Sequence, residues 1–316
     1  MTVLGFLRRR WPWIVFPLAV VVVNAVLFRV IVDDEAGGAD VRTIEVGRGP
    51  QHIAVGAGGV WVSGFGGVGV SMLDPETERV EVGPVFPPGT PGGMAIAAGD
   101  VWVGAIQGFE VARIDAERGE VVSTTRAGRT PASLAEGFGY VWVAVLDSGR
   151  VARIDLEAGD RARRFDVGLE FPAAVGTGFG SVWVSDVVDD VIVRLDPRSG
   201  EVLGEIAVGT SPTSIAAGKG ALWVANFAGD TVTRIDPVSG VTETIPVGHR
   251  PSGIAVGEGF VWVTSTADDE VAIINPSRNR VVGRISVGNQ PQGVDVGFGS
   301  VWVVNQGDGT VTRIEL

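Results

Sequence analysis

Only two histidines, His52 and His249, and no cysteine stand among the 316 residues of this chain. The lack of cysteine excludes a disulfide, a thiolate metal site and a cysteine nucleophile. The sequence also contains no HExxH helix, no GxSxG nucleophile turn and no phosphate-binding P-loop, each of which holds reactive groups at a fixed spacing. From motifs alone we therefore predict no catalytic residue, no metal site and no cofactor.

Two adjacent pairs of carboxylates, Asp189–Asp190 and Asp268–Asp269, have metal-binding chemistry. Their spacing matches neither an EF-hand nor a repeat-type calcium loop. They could hold a divalent cation only if several loops contributed ligands to one site.

The charge balance restricts the kind of partner. The net charge is −12, the isoelectric point is about 4.7, and Lys219 is the single lysine. A nucleic-acid-binding protein needs a basic face, which this composition does not favour. We therefore predict no nucleic-acid partner, while small-molecule and protein ligands stay open.

The elements that position these groups follow from a tryptophan that recurs every 39–41 residues. A fixed period near 40 residues is typical of repeat architectures. Apolar residues flank each indole, as in Leu222-Trp-Val-Ala-Asn, so we expect the tryptophans to pack between repeats. They are Trp61, Trp102, Trp142, Trp183, Trp223, Trp262 and Trp302.

Each repeat is predicted to contain four short strands. In the fifth copy these are residues 215–217, 222–225, 231–236 and 241–247. The phrase Asp236-Pro-Val-Ser-Gly between the last two strands suits a type I turn that leaves through a bulge. Four short strands in 40 residues make one blade of a β-propeller.

The ends of the repeat region indicate how the ring closes. The seventh repeat stops at Leu316 after its third strand, while Val41-Arg-Thr-Ile-Glu-Val-Gly resembles the fourth-strand phrase Ile245-Pro-Val-Gly. The N-terminal strand should therefore complete the last blade and remove both sheet edges. We predict an all-β, seven-bladed propeller of four-stranded blades over residues 41–316.

A different segment precedes the repeats. Residues 11–32 begin with 18 uncharged residues and would span about 33 Å as a helix, enough to cross the hydrocarbon core of a bilayer. Arginines at 8–10 and acids at 33–35 orient the N-terminus toward the cytoplasm. We predict a cytoplasmic N-terminus (1–10), a single-pass plasma-membrane signal anchor (11–32), a linker (33–40) and a propeller outside the cytoplasm. A cleaved signal peptide is the alternative.

The loops after the tryptophan strands and after the fourth strands should meet on one face, around the central channel. Loops on a rigid scaffold often carry binding groups, and polar groups that converge on a concave mouth fit a ligand site. The same groups also suit loops that are merely solvated. The candidate ligand-binding residues of this mouth are Gln107, Asp147, Asp186, Asn226, His249, Arg250, Gln292, Asn305 and Gln306.

His52 and Asp295 are the sharpest deviations from the repeat. Two residues after the proline that opens each repeat, six copies have Gly, Ala or Ser and the first has His52. Four residues after that proline, six copies have Ala or Gly and the seventh has Asp295. The first and seventh blades are neighbours in a closed ring, so we predict that the two side chains pair near the channel and that the pKa of His52 is raised. The pair would either fix the closure or take a ligand-binding or acid–base role, and chance variation between the copies is the third explanation.

The phrases Leu222-Trp-Val-Ala-Asn, Thr231-Val-Thr-Arg-Ile-Asp-Pro and Ile245-Pro-Val-Gly resemble the repeats of YVTN or YncE-type β-propellers. They are also similar to the blades of the virginiamycin B lyase family, and the resemblance covers residues 41–316. In that family, histidines of a Pro-His-x-Ile phrase and a glutamate of Trp-Phe-Thr-Glu bind magnesium and act on a cyclic lactone antibiotic. The matching positions here are Ser252, Gln292 and Ser265, so the resemblance implies the fold but carries over no catalytic residue.

We therefore predict a monomeric, membrane-anchored propeller that binds a protein, a peptide or a cell-envelope ligand through its mouth. The alternative is a lyase or hydrolase of the virginiamycin B lyase or lactonase type. At least three histidines or carboxylates within metal-binding reach in the mouth would favour the enzyme. A mouth of amides, hydroxyls and apolar side chains would favour binding.

Overall fold

The fold is seen in a computed structural model that describes residues 39–65, 69–158 and 161–316. These residues contain 28 strands, which form seven antiparallel sheets of four strands each. The first strand of each sheet contacts the first strands of both neighbouring sheets, and the contact between the first and seventh sheets closes the ring. The predicted seven-bladed propeller is confirmed.

Blades 1–4 follow one another along the chain. Blade 1 comprises β2 (Pro50–Gly56), β3 (Gly59–Gly64), β4 (Gly69–Leu73) and β5 (Val80–Val85). Blade 2 comprises β6 (Thr90–Ala97), β7 (Asp100–Ile106), β8 (Glu110–Asp115) and β9 (Glu120–Arg126). Blade 3 comprises β10 (Pro131–Gly137), β11 (Tyr140–Val145), β12 (Arg150–Asp155) and β13 (Ala162–Asp166), with a 3-10 turn, η1 (Leu146–Ser148). Blade 4 comprises β14 (Pro172–Gly178), β15 (Ser181–Asp186), β16 (Val191–Leu195) and β17 (Val202–Ala207).

Blades 5–7 complete the ring. Blade 5 comprises β18 (Pro212–Gly218), β19 (Ala221–Asn226), β20 (Thr231–Ile235) and β21 (Thr242–Pro246). Blade 6 comprises β22 (Pro251–Gly257), β23 (Phe260–Ser265), β24 (Glu270–Asn275) and β25 (Arg280–Ser286). Blade 7 comprises β26 (Pro291–Gly297), β27 (Ser300–Asn305), β28 (Thr310–Glu315) and the N-terminal strand β1 (Asp40–Glu45).

The closure by β1 is confirmed in detail. This strand pairs antiparallel with β28, from Asp40 opposite Glu315 to Glu45 opposite Thr310. The last blade therefore combines residues from both ends of the repeat region, which leaves no three-stranded blade in the ring. The paired strand begins at Asp40, one residue before the predicted start of the propeller.

The core repeats from blade to blade. All seven repeat tryptophans are at most 1% exposed, and each lies on the second strand of its blade among buried valines and isoleucines. This confirms their packing role. Six of the indoles donate to the carbonyl five residues earlier, as Trp223 Nε1 does to Gly218 O at 3.1 Å. Trp61 Nε1 has no such partner among the described residues.

Arginines of the third strands join neighbouring blades. The guanidinium of Arg194 lies 5.3 Å from the ring centre of Trp183 and donates to the carbonyl of Pro237 in the next blade. Arg313 stacks in the same way on Trp302 and donates to Pro75 O at 3.0 Å, across the ring closure. In blades 3, 4 and 7 the repeated arginine therefore joins its blade to the next one, whereas Arg113 donates to Asp100 within blade 2.

The two faces of the ring follow from strand direction. The inner strands, which are the first strands of the seven blades, run from the loops that precede Pro50, Pro91 and their equivalents to the turns that precede the tryptophan strands. We call the first side the mouth and the second side the basal face. In the described part of the chain, no helix is long and apolar enough to span a bilayer. The predicted anchor, residues 11–32, lies outside the described residues.

Candidate functional site

A cavity of about 380 Å³ occupies the central channel and is lined mainly by the inner strands. Six of these strands contribute the first three residues that follow the opening proline, and blade 2 contributes the second and third, Gly93 and Met94. Because equivalent positions recur, the seven inner strands line the cavity in the same way. Its chemistry is decided by the positions at which the copies differ.

An apolar ring surrounds the channel at the third position after each proline. Every blade places a branched or sulfur-containing apolar side chain there. The seven residues are Ile53, Met94, Leu134, Val175, Ile215, Ile254 and Val294.

A polar cluster lies beside this ring where blades 1 and 7 meet. At the first position after the proline, blades 1 and 7 have Gln51 and Gln292, whereas the other blades have Gly, Ala, Ser or Thr. His52 follows Gln51 and is the one titratable residue among those that line the cavity. Desolvation lowers the pKa of His52 to about 4, so the imidazole is neutral at pH 7.

The predicted pair between His52 and Asp295 is not formed. Asp295 Oδ2 accepts the Val55 amide of blade 1 at 2.7 Å, and its Oδ1 accepts the Val296 amide at 2.8 Å. Val55 is three residues past His52 on the same strand, about 10 Å of extended chain toward the basal face. Asp295 therefore joins the two blades through backbone, and the expected rise in the pKa of His52 is wrong.

The environment of Asp295 fits a closing role. Burial raises the pKa of its carboxyl group, while the two backbone N–H groups oppose that rise. Asp295 is not among the residues that line the cavity. Of the two explanations that the sequence left open, the structure favours fixation of the ring closure.

Asp186 supports the mouth from within. It is fully buried at the end of β15, and its Oδ2 accepts the amides of Glu170 and Phe171, both at 2.7 Å. Its Oδ1 accepts the amides of Val188 and Asp189. One carboxylate thus joins the loop that enters blade 4 to the loop after its tryptophan strand, and Asp186 is not among the residues that line the cavity.

Asn226 and Asn305 have a similar buried role. The Nδ2 group of Asn226 donates to Thr231 and Thr233, and that of Asn305 donates to Thr310 and Thr312. Both side chains are fully buried. These candidates therefore hold the start of the third strand instead of facing the channel.

The predicted acidic pairs are engaged with backbone. Asp190 Oδ1 accepts the Ser211 amide at 2.7 Å, and Asp269 Oδ1 accepts the Gln290 amide at 2.8 Å. Asp230 Oδ1 accepts the Arg250 amide in the same way. Each carboxylate fixes the loop that leads into the next blade. Within the described ranges, no group of three or more His, Cys, Asp and Glu residues is arranged to hold a metal ion.

His249 lies on the outer rim of the mouth. Its side chain is 70% exposed, and its Nδ1 lies 2.8 Å from Asp268 Oδ1. The backbone amide of His249 donates to Asp268 Oδ2 at 2.6 Å. Hydrogen bonding and the charge of Asp268 raise the pKa of His249. Its neighbour Arg250 places a guanidinium 5.9 Å from the ring centre of Phe227, which lines the channel.

The other candidate residues differ in how close they lie to the cavity. Gln306 lies within 3.5 Å of the channel-lining Gln292, between their amide groups. Gln107 is exposed and has a left-handed backbone, with φ of 73°. Asp147 is exposed in η1 and accepts the Thr130 hydroxyl at 2.6 Å. Of the predicted residues, the structure brings only His52 and Gln292 into the cavity wall, with Gln306 next to them.

Sequence reasoning missed Gln51 and Phe227 in the cavity wall. A signal for Gln51 was present, because the first position after the proline is glutamine in blades 1 and 7 alone. Phe227 has no equivalent signal, since an aromatic residue in a variable loop can point in any direction.

Solved structures of similar fold place the chain among known propellers. Virginiamycin B lyase from Staphylococcus aureus matches with a TM-score of 0.78 and 21% identity, over 88% of this chain and 99% of the lyase chain. A streptogramin B lyase structure matches with a TM-score of 0.77 and 20% identity, over 88% and 98%. Hydrazine synthase from Kuenenia stuttgartiensis matches with a TM-score of 0.75 and 16% identity, over 86% and 97%. At these identities the likeness confirms the propeller fold and the distant resemblance to the lyase. No protein-family model and no curated protein sequence matches the chain.

Proposed function

We propose that this protein is a binding module that takes an uncharged, peptide-like ligand into the mouth of its channel. The observation that supports this most is the cluster of Gln51, His52 and Gln292 directly beside the apolar ring. A primary amide both donates and accepts, as a peptide group does, so two glutamines and a neutral imidazole complement a peptide backbone.

The cavity also restricts the charge and size of the ligand. No carboxylate, arginine or lysine is among its lining residues. A charged group that entered would lose its hydration without a partner of opposite charge, which is unfavourable. The volume of about 380 Å³ lies near the lower end for small-ligand pockets, and suits one apolar side chain with its adjoining peptide groups.

A lyase activity is the alternative, and fold likeness is what favours it. One similar structure is a catalytically inactive virginiamycin B lyase from S. aureus with quinupristin, with a TM-score of 0.75 and 20% identity. Against this alternative, Ser252, Gln292 and Ser265 stand at the positions of the lyase motifs. A hydroxyl or an amide there does not supply the acid–base chemistry that a histidine or a glutamate does.

We further propose that residues 11–32 tether the propeller to the plasma membrane, with the mouth outside the cytoplasm. The length of the apolar segment and the arginines before it support this arrangement. Protease added to intact cells should remove the propeller and leave residues 1–10 protected. Recovery of a soluble chain that begins near residue 36 would instead identify a cleaved signal peptide.

The binding proposal is tested by placing a charge in the channel. The full chain, immobilised, should capture an uncharged peptide-like component from cell-envelope extract, identified by mass spectrometry. Gln292→Glu should abolish this capture, because it buries a carboxylate beside the apolar ring. Gln107→Glu introduces the same charge on the exposed rim and should capture normally. Equal capture by both variants would exclude the channel as the binding site.

The enzymatic alternative is tested with the same protein. The full chain is incubated with quinupristin and magnesium, and the mass spectrum is examined for ring-opened product. We expect intact antibiotic. Ring opening by the wild-type protein that is lost in Gln292→Glu would support the lyase activity and contradict the proposal of a binding module.

A further inference from the structure

Three phenylalanines occupy the basal face where the fold needs no aromatic residue. They stand at the tips of the turns between the inner strand and the tryptophan strand, and they are 42–48% exposed. The residues at these seven tips, in blade order, are Ala57, Ala98, Phe138, Phe179, Lys219, Glu258 and Phe298. The same backbone accepts alanine, lysine or glutamate, so packing of the blade does not require phenylalanine.

The backbone at these tips makes the choice more unusual. Phe138, Phe179 and Phe298 have φ values of 60°, 52° and 53°. The left-handed region is uncommon for bulky residues and costs roughly 1–2 kcal/mol relative to the right-handed one. A large apolar side chain held there in solvent favours a role in contact with another surface.

The three rings are spread around the axis. Phe298 belongs to blade 7, while Phe138 and Phe179 belong to blades 3 and 4, which lie opposite blade 7 in a seven-membered ring. The three tips therefore lie on opposite sides of the ring and can contact a flat surface at the same time. Lys219 follows Phe179 in the next blade, where its long side chain can reach a polar headgroup layer.

The N-terminal segment reaches the propeller on this same face. Strand β1 runs from Asp40, opposite Glu315, to Glu45, opposite Thr310, and so passes from the basal face to the mouth. The predicted anchor ends at residue 32, and residues 33–39 span at most about 25 Å when extended. With the mouth toward the bilayer, about 20 Å of this length would have to run along the height of blade 7. With the basal face toward the bilayer, the segment leads directly to the start of β1 at Asp40.

The geometry points to a lipid surface as the partner of the basal face. We infer that Phe138, Phe179 and Phe298 insert into the interfacial layer of the bilayer that holds the anchor, so that the mouth faces away from the membrane. This inference rests on the tether that is part of the proposed function. Charges of both signs surround the tips, among them Lys219, Arg198, Glu157 and Glu258, so the attraction is apolar and does not require anionic lipids.

The inference is tested with single-cysteine labels, which are specific because the natural chain has no cysteine. The full chain carrying Phe179→Cys, or Phe138→Cys as a second basal variant, is labelled with an environment-sensitive fluorophore and reconstituted into phosphatidylcholine vesicles that contain nitroxide-labelled lipid. The matched control is Phe86→Cys, an exposed phenylalanine of the mouth face that is 62% exposed. We expect strong lipid quenching of both basal labels and none of the control.

Three other results would overturn the inference. Basal labels that stay accessible to aqueous iodide while the chain resists alkaline extraction would mean that the anchor is inserted but the face does not dock. Quenching of the Phe86→Cys label instead would mean that the mouth faces the lipid. Release of the chain by alkaline extraction would show that residues 11–32 are not an inserted anchor, which would contradict both the proposed tether and this inference. Ligand capture by the mouth is measured with immobilised protein and needs no docking on vesicles, so its outcome is independent of all three.

Discussion

Blades 1–3 and blades 4–7 share one core but differ consistently in the residue three positions after each tryptophan. Blades 4–7 have Asp186, Asn226, Ser265 and Asn305 there, all fully buried polar residues. Blades 1–3 have Gly64, Ala105 and Val145. The difference divides the mouth into two halves that are held together in different ways.

The loops of blades 4–7 are held by carboxylates. Asp186, Asp190, Asp230, Asp268 and Asp269 each accept at least one backbone N–H from a loop that enters a blade. Charge-assisted hydrogen bonds of this kind are stronger than neutral ones. This half of the mouth is therefore a polar wall of fixed shape.

In blade 1 the loop that enters the blade packs directly on the end of the tryptophan strand. The Phe65 amide donates to Gly49 O at 3.0 Å, a bond with equivalents in blades 3–7. A Cβ atom at Gly64 would collide with that same carbonyl oxygen, so this contact requires glycine. Phe65, Phe86 and Phe109 are exposed along this side. The comparison teaches that the repeat specifies the core of every blade, whereas the end of the tryptophan strand and the loop after it decide whether a carboxylate holds the entering loop.

The largest expected effect tests whether the two halves share the same core. Trp61→Ala in blade 1 and Trp223→Ala in blade 5 should each destabilise the fold by about 3–5 kcal/mol, because each removes a fully buried indole. Urea unfolding followed by circular dichroism measures both. A loss confined to one half would show that the halves differ in their cores and not only in their loops.

Asp186→Ala tests the polar anchors, and Asp147→Ala is its control in the other half. Loss of Asp186 leaves four backbone N–H groups without their acceptor at a buried site, so we expect a loss of about 3 kcal/mol. Asp147 is exposed, and its removal should change stability by no more than about 0.5 kcal/mol. Similar losses in the two variants would contradict the division of the mouth.

The missing hydrogen bond of Trp61 gives a smaller effect. Trp223→Phe removes a bond from the indole to Gly218 O, whereas Trp61→Phe removes none that is described. After allowance for the equal loss of ring area, Trp223→Phe should be more destabilising by about 1 kcal/mol. Equal losses would mean that Trp61 Nε1 is satisfied in solution.

The sequence predicted the fold well and the site only in part. The tryptophan period, the Asp-Pro turns and the orphan strand at 41–46 were enough for seven blades and their closure, because each reflects a local pattern repeated in every copy. To predict the mouth residues, one must also know where each side chain points. Asp186 and Asn226 lie in the predicted loops, but their side chains point into the protein. His52 and Asp295 were placed on adjacent blades correctly, yet their offset along the strands depends on how neighbouring blades pack, which no single repeat encodes.

The smallest expected effect concerns the two histidines. His249 pairs with a carboxylate in the half formed by blades 4–7, whereas His52 lies in blade 1 and its pKa is shifted by desolvation alone. The hydrogen bond and charge of Asp268 raise the pKa of His249, whereas desolvation lowers the pKa of His52 to about 4. Stability from His249 should be fully present below its unfolded pKa, about 6.5, and lost as pH rises through the folded pKa. For His52 the sign is reversed: folding disfavours its protonation, so stability falls as pH drops from about 6.5 to about 4.

With only two histidines in the chain, their proton resonances can be followed separately by NMR. Asp268→Asn should lower the pKa of His249 and leave that of His52 unchanged. A shift of both resonances would mean that the substitution disturbs the whole mouth, and a shift of neither would mean that the imidazole of His249 does not pair with Asp268 in solution.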